Sequence, residues 1–592
     1  PEYICLPSLL AIMSANIPSD VHPHLMTEIP LDAVAFQPPP PSYVEAKYAD
    51  DTNAKPSLGD VDADHDVLRE NERWPTPEEE RTWVRVADKI PTAAFLIILT
   101  EFCERFTYYG ASGIFNNYIS NGYKVPGSSP GAIDGGKQMA TGLINFFQFW
   151  CYICPIFGAI VADQWLGKYK TILLFACIYL VGNIVLTLTS IPASIHAGGA
   201  LPGLIVAMII IGLGTGGIKP NVSPMVAEQY TRTRPFVRRL KSGKEVLVDR
   251  DATIQSMFNW FYWSINLGSL SAIATSELEH NVDFWPAYLL PTLMFILCIL
   301  VFWLGRKKYI RNPPTGSILI QATRCLTTGV RQSRAAKRSG QELLDDTGAK
   351  LNWMEYAKPS NMVDVPASPV AWDDHFVDEL RHTLKACKVF TFYPVYWLCF
   401  GQITNTLISQ AGEMNTGGVP NDIMQNIDPL FLIIFIPIFD KVFYPGLRRC
   451  GLDIGPILRI FIGFVLAAIA MAYAAIVQHL VYSTGPYYDH PGSQHNDISA
   501  AIQIPAYAFI AWSEIFASIT GLEYAYTKAP QSMKSIVMSI FLFMNCGGAI
   551  LAFCFNPISA DPHLVKNFAI AAGLMGFFAF LFYACFYKYD RK

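Results

Sequence analysis

The chain has 592 residues, 52% of them hydrophobic, 13% aromatic and only 16% charged. Its polar residues gather in a long N-terminal stretch and a central one, so the remainder is almost wholly apolar; this excludes an ordinary soluble globular protein and points to a polytopic membrane protein of the all-α class. A net charge of −4 decides little, because the distribution of Lys and Arg matters more than their sum in such proteins, and the thirteen scattered Cys lack the paired spacing of a zinc site or a disulfide framework.

Residues 1–88 are acidic, Pro-rich and without periodicity, which predicts a disordered cytoplasmic tail. The first span begins at Ala93 and runs on to Asn117. Further spans are expected at 138–161, 171–188, 201–227, 254–275 and 286–304, then at 390–407, 427–444, 460–482, 500–526, 536–555 and 568–586. Each is close to or above the roughly 20 residues a bilayer requires. The chain therefore divides into a six-helix bundle over 89–305, a polar linker over 306–385 with a surface helix at Gln341–Tyr356, and a second bundle over 386–592, about twelve spans in all.

Basic residues crowd alternate loops, from Lys168 and Lys170 through Arg232–Lys244 and Arg306–Arg311 to Lys441–Arg449 and Lys528–Lys534. The intervening loops are nearly free of them, Lys124, Lys137 and Lys566 being the exceptions. The positive-inside rule then places both termini and the linker in the cytoplasm. The sequon Asn221-Val-Ser223 falls on that side and is expected to stay unglycosylated.

Charges inside the apolar runs carry the functional argument. Glu101, Glu104, Arg105 and Tyr108 share one helical face at i, i+3, i+4 and i+7 spacing. A charge at the bilayer centre costs about 2.5–3.5 kcal/mol on insertion scales, so this group must face a wet cavity and one another. Two carboxylates beside one guanidinium leave an excess negative charge, and one carboxylate is poised to take a proton. Lys219 lies in a Gly-rich run ahead of Pro220, and Glu514 near the middle of the tenth span; a Lys219–Glu514 pair across one cavity is a candidate gate. Glu523, on the opposite helical face, is read as snorkelling, and Asp440 with Lys385 as a contact at the cytoplasmic face. Asn145, Asn266, Gln402 and Ser513 read singly as helix–helix contacts.

Three segments carry a family resemblance. The run from Glu101 to Gly110, Glu-Phe-Cys-Glu-Arg-Phe-Thr-Tyr-Tyr-Gly, resembles the ExxERFxYYG motif of proton-coupled oligopeptide transporters of the major facilitator superfamily. Gly158–Leu173 and Phe261–Leu270 agree with it, in family order. The resemblance runs from about residue 90 to the end and is nearest to fungal di/tripeptide permeases. It implies a major facilitator fold and proton-driven import of di- and tripeptides by alternating access. Carried over, Glu101, Glu104 and Arg105 form the proton-coupling cluster, Lys219 couples protons to substrate and holds the peptide carboxylate, and Glu514 receives the amino terminus. Arg105, Tyr109, Tyr118, Tyr152, Tyr262, Asn266, Ser269, Trp397, Gln402 and Asp428 line the pocket. The sequence departs from the family at Asn145, where animal members have His, at Ser112, where many relatives have a second Arg, and at Asp428, where Asn is common.

The expected function is peptide–proton symport at the plasma membrane. The alternatives are transport of nitrate or another small acid, which Glu514 opposes, and a nutrient sensor whose tail and linker signal. Walker A, nucleotide-binding and nucleophile motifs are missing, so an enzyme or ATP-driven pump is not expected. Beyond protons as coupling ion, no cofactor, metal or nucleic acid is implied; the partners are peptide and lipid bilayer, and a monomer is expected.

Overall fold

The computed structural model describes residue 68 and residues 71–588 apart from 84, 127–128, 241–242, 244, 315, 340–351, 363–369, 444–453, 490–494, 522–523, 525–529 and 531–532. Where they are described, the expected spans fall largely on helix. In the first half these are α2 (Thr92–Ser112) continued by α3 (Phe115–Ser120), α4 (Gly136–Val161), α5 (Gly167–Thr189), α6 (Ala200–Ala227), α7 (Arg250–Ser269) continued by α8 (Ser271–Asn281), and α9 (Phe284–Leu304). They follow a short helix α1 (Pro77–Thr82). The linker holds α10 (Ile318–Ser339) and α11 (Asp374–Ala386). The second half comprises α12 (Tyr393–Phe400) and α13 (Thr406–Gly412), α14 (Ile427–Ile438), α15 (Pro456–Ser483), α16 (Ile504–Glu514), α17 (Lys534–Phe555) and α18 (Leu564–Phe586).

Among the described residues, seven helical stretches are long and apolar enough to cross a membrane. Helix α2 misses that standard because Glu101, Glu104 and Arg105 interrupt it, and the seventh span because 3₁₀ turns at Cys387–Phe392 and Gly401–Thr404 break it into pieces. The outward faces present large apolar side chains such as Leu293, Leu300, Phe577 and Phe580, as a bilayer requires. Each half has its own aromatic core: Tyr118 packs on Phe284 and Tyr288 in the first, and Tyr393 on Phe464 and Phe541 in the second.

The halves are bonded together on the face away from the linker. Asn116 Nδ2 donates to the Asn405 carbonyl at 3.1 Å, Gln425 Nε2 to the Gly113 carbonyl at 3.0 Å, and Asn405 Nδ2 to Asn145 Oδ1 at 2.9 Å. Lys137 at the start of α4 pairs with Glu413 and, at 2.6 Å, with Asp561. Those acceptors are held in turn by Gln478 and Tyr482, both at 2.5 Å. This explains one exception to the Lys-poor loops, and Lys124, 3.5 Å from Asp283, explains another.

The linker is shared between the halves. Its first residues stay with the first half, where Arg311 lies over the Tyr169 ring at 4.0 Å and the Ile310 amide donates to Gln229. Helices α10 and α11 instead close a small apolar core with Met533 and Ile536 at the start of α17. A linker helix lies at 318–339, where the apolar positions Ala322, Cys325 and Ala336 give the segment a face to bury; the expected helix at 341–356 falls mostly on residues 340–351, which lie outside the description.

Order begins earlier than residue 89. Strands β1 (Glu72–Arg73) and β2 (Arg85–Val86) flank a hairpin of β3 (Phe236–Arg239) and β4 (Glu245–Val248) in the order β1-β3-β4-β2. The disordered reading therefore fails over 72–86; residues 1–67 lie outside the description. The hairpin buries Phe236, Val237, Leu247 and Val248, and ion pairs tie the two-residue strand β1 to it. Glu72 is shared by Arg232 at 2.8 Å and Arg238 at 2.9 Å, and Arg238 also reaches Asp88 at 2.5 Å. Arg73 bridges Glu79 and Glu245 at 2.6 and 2.7 Å. Burial raises the Asp88 carboxyl, but the Arg238 hydrogen bond and charge outweigh it and hold Asp88 below the usual range.

A depressed carboxyl adds stability above its unfolded value and loses it as pH falls through the folded one, so the Asp88 contribution disappears only below about pH 4. Arg238→Ala removes one of the two arginines on Glu72, which keeps Arg232, and the arginine on Asp88, at a cost of about 1.5–3 kcal/mol for each charged hydrogen bond lost. Amide exchange at residues 72–73 and 85–86 is expected to accelerate in this variant while α2 is unaffected; unchanged exchange would show that the ion pairs do not hold the sheet.

Candidate functional site

The Gly-rich run of α6 sets the geometry of the first half. A Cβ on Gly216 would meet the Cys154 Cβ of α4 at 2.4 Å, and one on Gly217 would meet the Phe175 ring of α5 at 2.0 Å. Gly158 closes the α4 side, its missing Cβ lying 2.1 Å from the Gly216 carbonyl. Two residues beyond Gly217, Lys219 points at α2 and α4. Its Nζ lies 4.5 Å from the centre of the Tyr152 ring and 4.8 Å from that of Tyr108, a cation held by two aromatic faces.

On α2 the three charges meet as their spacing requires. Arg105 Nε donates to Glu101 Oε1 at 2.7 Å and stands 3.0 Å from Glu104 Oε2. Glu101 and Glu104 are 2% and 0% exposed. Glu101 Oε2 and both Glu104 oxygens lack a hydrogen-bond donor, so the cluster has spare acceptor capacity. Lys219 is in electrostatic reach of all three. Helix α7 presses on this point through Gly268, whose Cβ would sit 2.7 Å from the Arg105 Cβ.

Glu514 stands across the seam at the last residue of α16, where a π-helical turn, Ile515–Ile519, begins. Such turns widen a helix by one residue and gather at functional sites. Its acidic neighbour is Asp428, buried at the start of α14 with Oδ1 unpartnered. Tyr109 lies within electrostatic reach of both the α2 charges and Glu514, and Tyr262 within reach of Glu514 and Asp428. These two tyrosines join a cationic wall on the first half to an anionic wall on the second.

The remaining expected residues divide. Trp397 packs edge-to-face against Tyr396, Phe400 and Phe541, with its indole nitrogen free of a hydrogen-bond partner among the described residues. Asn266 and Ser269 spend their polar hydrogens on carbonyls of their own helix, Tyr262 at 2.9 Å and Asn266 at 2.7 Å. Three expectations need correction. Lys219 and Glu514 form no ion pair among the described residues; aromatic faces and the α2 carboxylates hold Lys219, and Glu514 faces Asp428. Tyr118 is sealed in the aromatic core rather than lining the cavity. Gln402 is turned into its own helix, where it donates to the Leu398 carbonyl and accepts from Thr406. For Lys385 and Asp440 no pair can be placed, because the Asp440 side chain and all of Glu523 lie outside the description. Asn221 of the sequon is buried and bonded to the Gly217 carbonyl.

Gly158→Ala would force α4 from α6 against backbone atoms, an overpacking cost of about 1–3 kcal/mol or more. A lowered thermal midpoint in the purified protein is the expected outcome; an unchanged midpoint would show that the two helices do not approach so closely.

A family model described as the POT family matches residues 169–572. The chain is 42% identical over 561 residues to the peptide transporter PTR2 of Saccharomyces cerevisiae, covering 93% of this chain and 87% of that protein. It is 45% identical over 518 residues to a peptide transporter of Candidozyma auris, covering 86% of each. Among solved structures, an auto-inhibited POT family peptide transporter superimposes with a TM-score of 0.63 at 24% identity, over 85% of this chain and 97% of that one. A POT family transporter crystallised in meso gives 0.64 at 23%, over 85% and 99%. Helix packing, the charged α2 face and these similarities agree, and the chain belongs to the POT family.

Proposed function

We propose that this protein is a proton-coupled symporter that imports di- and tripeptides across the plasma membrane by alternating access, with both chain ends and the linker in the cytoplasm. The observation that carries the reading is the pair of opposed walls: Arg105 and Lys219 on the first half, Glu514 and Asp428 on the second, joined by Tyr109 and Tyr262. A peptide is a zwitterion of fixed ends and variable side chains. Charged walls bind its ends, and aromatic surfaces tolerate what lies between. Two carboxylates on one wall oppose a lone anion such as nitrate. The names of the fungal relatives support the substrate class.

Proton coupling follows from the α2 cluster. With both carboxylates ionised, Arg105 is held by Glu101 and Glu104. A proton on Glu104 weakens that hold and leaves Arg105, with Lys219 nearby, to take a peptide carboxylate; release of the proton on the cytoplasmic side restores the cluster and expels the carboxylate. On this reading, the bonding of the two halves on the face away from the linker closes the outer side of the pathway.

In a yeast strain lacking peptide import, radiolabelled dipeptide uptake is expected to follow an inward pH gradient and to fall to background when the gradient is collapsed. Glu104→Gln should lose the gradient-driven component, and uptake insensitive to both changes would sink the symport reading. Asp428→Asn removes one of two acceptors for the peptide amino group. A charge-assisted hydrogen bond of about 1.5–3 kcal/mol corresponds to a KM raised about tenfold or more, with kcat little changed. An unchanged KM would remove Asp428 from the binding site.

A further inference from the structure

On the face away from the linker, two acidic side chains from different halves meet out of reach of solvent. Glu279 comes from the last turn of α8, and Asp422 from the 3₁₀ turn Asn421–Asn426 that leads into α14. They are 4% and 0% exposed, and their carboxyls face each other within hydrogen-bonding reach. Glu279 Oε1 accepts from Asn117 Nδ2 at 3.0 Å, and Asn117 and Asn421 exchange amide hydrogen bonds at 2.8 and 2.9 Å. Glu279 Oε2 and both Asp422 oxygens have no donor.

Among the described residues, none supplies a cation to balance the pair. The titratable groups facing it are the phenols of Tyr288 on α9 and Tyr507 on α16, each buried with an unpartnered hydroxyl. Tyr118 packs behind Tyr288 and lies in electrostatic reach of Asp283, which is itself bonded to Tyr123 and paired with Lys124. Lys137 borders a cavity of about 20 Å³ that Asn117 and Asn421 also line, but its ammonium group is already held by Glu413 and Asp561. Two ionised carboxylates so placed would repel each other with little screening; one hydrogen between them turns the contact into a strong O–H···O⁻ bond.

We infer that Glu279 and Asp422 form a proton-binding site that locks the outer seam: the two halves close there only when one proton is shared between these carboxyls. Its outward sense rests on the alternating-access reading above. When the halves part, both groups meet water and ionise in the ordinary carboxylate range, and the proton returns to the side it came from. This proton gates the cycle without crossing the membrane, and it is separate from any proton carried by the α2 cluster.

The test reads the seam directly. In the full-length protein in intact cells, Ser120→Cys, half-buried on the small cavity at this seam, reports its opening through the labelling rate with a membrane-impermeant maleimide. Thiol reactivity itself varies with pH, so each rate is divided by that of a separate Val282→Cys control, an exposed position on the same face. The normalised rate in the otherwise unaltered protein is expected to rise with external pH, by up to about tenfold per pH unit for closure linked to one proton. Glu279→Gln and Asp422→Asn each replace the shared proton by an amide hydrogen, and both should give a low rate independent of pH. A flat profile in the parent, or the parent's slope retained in the amide variants, would overturn the proposal. So would a slope that follows sodium or calcium concentration at constant pH, which would mark a cation site instead. If one amide variant fails to reach the surface, the other carries the test, and the parent profile alone can refute it. Dipeptide uptake in the same cells keeps the two readings apart: no uptake with pH-dependent labelling would overturn the transport reading and leave the lock standing.

Discussion

A guanidinium placed between two carboxylates inside a helix bundle constrains everything packed around it. Arg105 cannot be left without partners in a bilayer, so Glu101 and Glu104 must share its helical face, and neighbouring helices must shield the group without filling it. Gly268 supplies the close approach of α7, and the glycines of α6 bring Lys219 within reach on the other side. Glycine in these helices is a packing requirement imposed by the charges. A Cβ at these positions would separate the groups whose mutual neutralisation makes the site tolerable in the membrane.

Polarity is distributed unevenly between the two faces of the bundle. Away from the linker, the halves are joined by amide pairs, by the Lys137 network and by the Glu279–Asp422 contact, buried polar contacts that water can replace if the halves part. Toward the linker, each half is sewn to its own portion of the connecting chain: Arg311 and Ile310 on the first, α10 and α11 on the second. Parting the halves on the far face would therefore exchange polar contacts for hydration and leave both apolar cores intact.

The α2 cluster, Lys219 and Glu514 are legible in the sequence because charges within apolar runs stand out against their surroundings. A pocket role for Tyr262 and Trp397 is not legible from the pattern, since aromatic residues in a span are normally core; only the family resemblance suggests it. Glu279, Glu413 and Asp422 escape notice because they sit where the apolar runs end, among ordinary loop polarity. Lys137 is their one signal, a cation in a loop otherwise poor in Lys and Arg. The π turn that follows Glu514 has no sequence signature. Strands of two residues show no period, and β1 is held by arginines 160 and 166 positions away, beyond any local reading.

That distance has a consequence for biosynthesis. Glu72 and Arg73 leave the ribosome before the first span, whereas their partners on β3 follow the fourth. At about 5–20 residues per second, the intervening chain takes on the order of 10–30 s to synthesise. Throughout that interval the acidic N-terminal segment stands unpaired beside four newly inserted helices. Closure of the sheet then brings the earliest-made segment onto the loop joining the fourth and fifth spans, so the sheet records the completed insertion of the first four.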